Sequence, residues 1–291
     1  MRTFALFIGC TTPSCLKVYE SSSRAVLGEL GVRLVDIRDF NCCGYPLINI
    51  DFKAFVLAAA RNLALAEKEG LNIMTLCKCG YGTLKKAAYL MKKDGSLRKE
   101  INGILAKEGL KYELETKISH LLMVLHKEVG LEAIKKKIIT SYENLKVATH
   151  YGCHALRPSQ VVEFDDPVAP TLFDSLVNIT GAESVDWATK LECCGGPLLD
   201  VNKELSFDLA NKKLANARKA GAHYITTACP FCQIQFETVQ EQISPERDKN
   251  HHLPPILYPQ LLGLCMGLDK GTLGLDSKRT EIAKIENFLA P

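Results

Sequence analysis

Two adjacent cysteines followed by glycine occur twice in this chain, as Asn41-Cys42-Cys43-Gly44-Tyr45-Pro46-Leu47 and Leu191-Glu192-Cys193-Cys194-Gly195-Gly196-Pro197-Leu198. The remaining cysteines fall around the two pairs at matching distances. Cys10 lies upstream of the first pair, with Cys77 and Cys79 downstream; Cys153 lies upstream of the second, with Cys229 and Cys232 downstream. There are 31 residues between Cys10 and Cys42 and 39 between Cys153 and Cys193, and the gaps after the pairs are 33 and 34. This is an internal duplication, and what it repeats is the thiolate. A 291-residue chain built this way is expected to form two lobes.

The order of elements repeats as well. Phe4–Ile8 reads as a strand ending on Gly9-Cys10, followed by a helix over Ser21–Leu30 and a second strand over Val32–Ile37. Asp51 is a helix N-cap, Gly70 a helix stop, and Asn72–Leu76 a strand that delivers Cys77 into a glycine-rich loop. A helix is expected from Thr83 to Met91, and residues 96–142 read as lysine-rich helices broken at Gly109 and Gly130. The second half gives a strand over Leu145–Tyr151, a helix over Pro170–Thr180, a helix over Lys203–Lys219, a strand over Tyr224–Ala228 and a helix over Phe231–Gln242. Strand-then-helix alternation predicts an α/β protein with parallel sheets, its cysteines at strand-to-helix junctions. The expected division is a first lobe with a helical extension over 1–142, a second lobe over 143–268 and a tail over 269–291. Cys265, in an apolar stretch read as a helix over Ile256–Met266, is expected in the core.

Twelve cysteines raise the question of redox compartment. The opening Met1-Arg2-Thr3-Phe4-Ala5-Leu6-Phe7-Ile8 has one basic residue and no cleavage-site pattern, so it reads as a buried strand and not as a signal peptide. No apolar run reaches the ~20 residues of a membrane span. A cytoplasmic protein is expected, in which clustered cysteines mean metal or redox chemistry and not a disulfide scaffold. A formal charge of +3 gives no reason to expect nucleic acid or an anionic membrane as partner.

Three separate positions per lobe converge, contributing one, two and two cysteines. Tetrahedral zinc takes four ligands, so five thiolates are one too many. An iron–sulfur assembly spreads its irons over a few ångströms and gives neighbouring cysteines separate metals. Structural zinc with one spare buried cysteine remains the competing reading.

The pattern resembles the duplicated cysteine-rich CCG domain of the B-type subunits of heterodisulfide reductase, over nearly the whole chain. The most specific pieces are His150-Tyr151-Gly152-Cys153-His154 and Cys229-Pro230-Phe231-Cys232. The resemblance implies that each motif holds a noncubane [4Fe-4S] cluster through five cysteines, with a disulfide held between the clusters and cleaved by one electron from each. Carried over, the second cluster takes Cys153, Cys193, Cys194, Cys229 and Cys232; the first takes Cys10, Cys42, Cys43 and Cys77, with Cys79 by analogy only. The first site departs from the family pattern, because Cys77-Lys78-Cys79-Gly80 places glycine where the last cysteine is expected. That leaves open an altered cluster, a different metal such as zinc, or a reworked substrate pocket, and Cys15 reads as a spare ligand, a reactive thiol or an ordinary loop thiol. His154, beside a ligand cysteine, is the candidate proton donor, with a backbone-bonding histidine as the bland alternative. His150 reads as a strand-end residue, and Lys78 and Arg157 as basic groups that meet an anionic substrate or only solvent.

The resemblance further implies an oxidoreductase component that works within a complex, with a ferredoxin-like C-type subunit and a flavin-containing A-type subunit as electron partners. The altered Cys77-Lys78-Cys79 loop favours a relative from sulfur oxidation, handling a disulfide or lipoate-bound sulfur, over the methanogen enzyme that reduces the mixed disulfide of coenzymes M and B. The alternative is a non-catalytic electron relay with one cluster and one structural zinc.

Overall fold

The computed structural model describes residues 2–242, 252–275, 282 and 284–291. Two four-stranded parallel sheets organise them. The first contains β1 (Arg2–Phe7), β2 (Val32–Val35), β3 (Asn72–Thr75) and β4 (Ile118–His120), in the order β2-β1-β3-β4. The second contains β5 (Lys146–Thr149), β6 (Glu183–Val185), β7 (Tyr224–Thr227) and β8 (Pro255–Leu257), in the order β6-β5-β7-β8. The topology is thus repeated strand for strand. Ala5 faces Val35 on one side and Ile73 on the other; Ala148 likewise stands between Val185 and Ile225.

Local chemistry explains the repeat. After each cysteine pair the chain turns through a left-handed glycine, Gly44 (φ 87°) or Gly195 (φ 82°), into a short 3-10 turn carrying proline. An acceptor side chain then starts a 17-residue helix: Asp51 takes the Ala54 N–H (2.9 Å) ahead of Phe52–Lys68, and Asn202 takes the Leu205 N–H (3.0 Å) ahead of Lys203–Lys219. Each helix returns the chain to a central strand, β3 or β7, whose end opens directly into the next helix.

Three expectations need correction. The helix after β3 begins at Lys78, not Thr83, so Cys79 lies in its first turn and not in a loop. Residues 96–142 contain the strand β4, and the stretch read as one helix over Ile256–Met266 is the strand β8 followed by a helix over Tyr258–Cys265. Each of these fourth strands is only three residues long, too short to show alternation, and is held by pairing to a neighbour. Cys265 is buried, its thiol donating to Thr180 O (3.6 Å). Of the 269–291 tail, residues 276–281 and 283 lie outside the described residues, and the end of the chain pairs with 141–143 through Glu143 N to Phe288 O (2.7 Å) and Ala290 N to Ser141 O (2.8 Å).

The two sheets share one principal core, which runs from Phe4, Phe7 and Met74 to Tyr151, Phe173 and Tyr258; a smaller one, with Trp187, Leu214, Ile225 and Phe236, lies under the second cysteine group. The Lys78–Lys93 helix joins the lobes directly. Lys78 Nζ donates to His150 O (2.7 Å) and the Tyr81 hydroxyl to Val162 O. Gly82 packs so closely that a Cβ there would stand 2.9 Å from His154 O. His120 Nε2 donates to Ala228 O (3.0 Å) while its Nδ1 accepts from Leu122 N (3.2 Å), which assigns the neutral tautomer. Within the second lobe Asp174 gathers Thr149 Oγ1, the Tyr151 hydroxyl and Lys190 Nζ, each at 2.8 Å, and so ties the end of β5 to the segment leading to the second cysteine pair.

Candidate metal centre

Both cysteine groups sit at the C-terminal ends of the strands, and the lobes turn those ends toward one another. The sulfurs of Cys77 and Cys79 from the first lobe and Cys229 from the second lie within 4.8 Å of each other, all three side chains in contact range across the seam. Cys194 Sγ is 3.6 Å from Cys232 Sγ, and Gly195 N donates to Cys193 Sγ (3.3 Å). Cys153 completes this second group through His154, whose Nδ1 is 3.4 Å from Cys153 Sγ and 3.4 Å from Cys79 Sγ.

The first group is more open. Cys10 and Cys42 are exposed and Cys43 is buried, with Cys42 in hydrogen-bond reach of both Cys43 and Cys10. Cys77 follows the end of β3, near enough to Cys43 that its ionisation would disfavour that of Cys43. Cys79 is directed away, toward His154 and Cys229. The cause is helical phase: Cys232 is the third residue of its helix whereas Cys79 is the second, and one position on a helix turns a side chain by about 100°. Gly80 takes the third position, where a Cβ would face the Phe7 ring (3.5 Å) and Cys77 (3.7 Å). Cys15 is exposed, with Ser14 Oγ 3.3 Å from its sulfur.

Crowding governs the thiols' protonation. Cys193 is drawn down to about 2 by the Cys153 and Cys194 thiols donating to it and by Gly195 N–H, while Cys194 is pushed up to about 12, first by that same bond and then by burial. Cys42 is likewise drawn down to about 5 by Cys43, whose own thiol is pushed up in exchange and by burial. Hydrogen bonding to Cys193 and burial push Cys153 up, and bonding to Cys229 pushes Cys77 up. Thiolates this crowded cannot share either space unless cations neutralise them.

The donor set fits a thiolate-bound metal. Two thiolates on one tetrahedral ion at ~2.3 Å stand ~3.7 Å apart, close to the Cys194–Cys232 separation of 3.6 Å. Soft thiolate donors of this kind suit iron–sulfur clusters or zinc.

Three further side chains belong to the site. Lys78 is fully buried and not solvated: its chain runs past Gly152, where a Cβ would lie 3.5 Å from its Cδ, to reach His150 O. Lys213 is also buried, donating to Thr189 O with its ammonium 4.6 Å from the Trp187 ring centroid. Burial lowers it to about 8, against the pull of the Cys194 and Cys232 sulfurs. His150 is buried with neither ring nitrogen hydrogen-bonded, and one of them lies within 4.8 Å of the Cys194 and Cys232 sulfurs. Burial also depresses the pKa of His154, against the pull of the Cys229 and Cys193 sulfurs. Arg157 reaches Leu191 O (3.1 Å), bracing the segment before the second pair.

The Cysteine-rich domain family model, CCG, matches residues 4–85 and 147–237, one match per lobe. The chain is 35% identical over 294 residues to the B-type subunit of the Ferredoxin/F(420)H(2)-dependent CoB-CoM heterodisulfide reductase of Methanosarcina acetivorans, covering 100% of this chain and 97% of that one. The chain belongs to the family of heterodisulfide reductase B-type subunits. Its similarity extends to a family relative in another complex, the 8-methylmenaquinol:fumarate reductase membrane anchor subunit of Wolinella succinogenes, 32% identical over 98% of this chain and 99% of that one. A hypothetical protein from Helicobacter pylori, seen in a crystal structure, shares the fold with a TM-score of 0.73 at 20% identity, covering 95% of this chain and 51% of that one. As members of this family are oxidoreductase subunits of larger complexes, the cysteine groups are those of a redox subunit. No described helix is long and apolar enough to cross a membrane.

Proposed function

We propose that this chain is the iron–sulfur subunit of a heterodisulfide-reductase-like complex, each lobe holding a noncubane [4Fe-4S] cluster and the pair acting on a sulfur–sulfur bond. The observation that supports this reading is the meeting of the two duplicated cysteine groups at one seam, with Cys77, Cys79 and Cys229 within 4.8 Å. Cys153, Cys193, Cys194, Cys229 and Cys232 would hold the second cluster. Cys10, Cys42, Cys43 and Cys77 would hold the first, and Cys79, turned to the seam, would face the substrate or lend a fifth sulfur. When bound, two such clusters supply two one-electron centres, the number that reductive cleavage of a disulfide requires.

The balance is one disulfide, two electrons and two protons giving two thiols, or the reverse. The chain's own residues account for access and protons. The exposed Cys10 and Cys42 form the open side, and the buried Cys194, Cys229 and Cys232 the side that excludes water. His154 lies between Cys79 and Cys153, where its ring would take a proton from solvent and, as imidazolium, pass it to a nascent thiolate. Electrons would come from a ferredoxin-like C-type subunit and a flavin-containing A-type subunit in the cytoplasm. The displaced Cys79 favours a substrate from sulfur oxidation, such as a lipoate-bound sulfur, over the methanogen heterodisulfide.

A second reading has a specific support. The Wolinella relative, similar over almost its full length, belongs to a fumarate reductase, a reaction with no disulfide in its name; the alternative for this chain is a non-catalytic electron relay with one cluster and one structural zinc. Iron, zinc and acid-labile sulfide per chain, measured on anaerobically purified protein alongside its EPR spectrum, separate the two. About eight irons with matching sulfide supports the disulfide chemistry; about four irons with one zinc supports the relay, since zinc carries no electron.

A further inference from the structure

The duplication allows the two sites to be compared position by position, and they differ in buried charge. The helices that follow the two cysteine pairs are both 17 residues long and both start from a side-chain cap. Their eleventh residues are Asn62 and Lys213. Asn62 is a neutral amide, bonded to Asn41 O (3.2 Å) and Cys42 O (3.3 Å). Lys213 brings a cation to the equivalent place in the second lobe. The residues that follow Cys77 and Cys229 are Lys78 and Pro230. Lys78 does not serve its own lobe, because its ammonium crosses the seam to His150 O (2.7 Å), three residues before Cys153.

Both cations therefore sit by the second cysteine group. Each is at least 98% buried, and neither is within ion-pair distance of a carboxylate among the described residues. An ammonium group held dry is costly without opposite charge nearby, and the negative charge that faces both lysines is that of the second group's sulfurs, with Glu192 adding a smaller pull on Lys213. At the first site the nearest guanidinium by hydrogen bonding is Arg61, which holds Asp39 O and Asn41 Oδ1 at the surface and is already paired with Glu108 (2.7 Å).

We infer that Lys78 and Lys213 raise the reduction potential of the second cluster above that of the first, so that a single electron entering the pair rests on the second lobe. The inference depends on the two-cluster reading above. Its physical basis is that a fixed positive charge in a medium of low dielectric favours the state carrying one more electron. The duplicated lobes would then be a donor and an acceptor, the first passing an electron on and the second storing one.

The test is a reductive titration of the anaerobic holoprotein with dithionite and mediators, followed by EPR and preceded by iron and sulfide analysis. Conservative Cys10→Ser and Cys153→Ser variants assign each signal to its lobe. In the wild type the second-lobe signal is expected to change first. In Lys213→Met and Lys78→Met the reduced-to-oxidised ratio of that signal, at a fixed potential, is expected to fall at least tenfold, which is about 59 mV for one electron. The first-lobe signal should move less, and Lys213→Arg should restore the wild-type value. Full iron with first-lobe reduction leading in the wild type, or with both lysine variants unmoved, overturns this inference alone. Wild-type iron at half the two-cluster content overturns the two-cluster reading and this inference with it. Because the wild-type order is itself decisive, a variant that fails to fold leaves the inference falsifiable.

Discussion

Replacing Gly195 by alanine should empty the second site, and a matched control makes the reasoning quantitative. Gly195 and Gly221 hold nearly the same backbone angle, φ 82° and 84°. An alanine at either pays about 1–2 kcal/mol for left-handed backbone. Their surroundings differ. A Cβ at Gly221 meets nothing nearer than Lys146 Cδ at 3.9 Å, whereas one at Gly195 would stand 2.5 Å from Ser206 O. Relief requires the cysteine loop and the Lys203–Lys219 helix to separate by nearly an ångström, breaking the bond from Ser206 Oγ to Gly195 O (2.9 Å). Overpacking of this kind adds about 1–3 kcal/mol, and the displaced atoms are those that carry Cys193 and Cys194. Gly221→Ala is therefore expected to keep about eight irons per chain and Gly195→Ala about four, with an anaerobic urea midpoint below that of Gly221→Ala. Equal iron and equal midpoints in the two variants would refute the claim that close approach at Gly195 sets the loop.

Three other outcomes are expected. Moving the thiol in a Cys79→Ala/Gly80→Cys variant points it at the first group past the Phe7 ring, so the first-lobe EPR signal should change at full iron content while the second stays; loss of second-lobe signal would contradict the geometry. Asp174→Ala leaves Lys190, Tyr151 and Thr149 without their common acceptor and should cost about 3 kcal/mol in urea unfolding, against under 1 kcal/mol or so for a surface pair such as Lys53–Glu100. Burial, and then Lys78, holds His120 down to about 3, below its unfolded value of 6.5. The unfolded chain therefore takes up the proton first, and the stability from neutral His120 is complete above pH 6.5 and lost as pH falls toward 3, at up to about 1.4 kcal/mol per unit. Unfolding at pH 7, 6 and 5 should show a shallower loss in His120→Gln; an unchanged slope would exclude His120 as a source of acid sensitivity.

Where the physics is local, the sequence was informative. The Lys203–Lys219 helix has the bounds its pattern indicates, and Asp51 caps its helix as its residue type suggests. The cysteines lie at strand ends because glycine and strand propensity are visible along the chain. What depends on partners was not legible. The strands β4 and β8 exist through pairing with β3 and β7, and three residues carry no period of their own. The helix start at Lys78 carries two glycines in its first turns, Gly80 and Gly82, and in the sequence these make Cys79 read as a loop residue. Lys213 was within reach: Ser206, Ala210, Lys213, Leu214 and Ala217 form one buried stripe, and a lysine in that stripe signals a buried charge. The unpartnered nitrogens of His150 are a property of three dimensions alone.

The helix that bridges the seam also bears on how the protein is made. Lys78 finds His150 at a separation of 72 residues and Tyr81 finds Val162 at 81, so the cross-seam partners of the helix that carries Cys79 do not yet exist while the first half emerges during synthesis. Contacts of such long range form late. Cys10, Cys42 and Cys43 are thus made long before the surface that holds Cys77 and Cys79 in register exists. Metal delivery to a half-made chain would meet an incomplete nest of thiols, and a maturation factor that acts after the second lobe has folded would meet both nests at once.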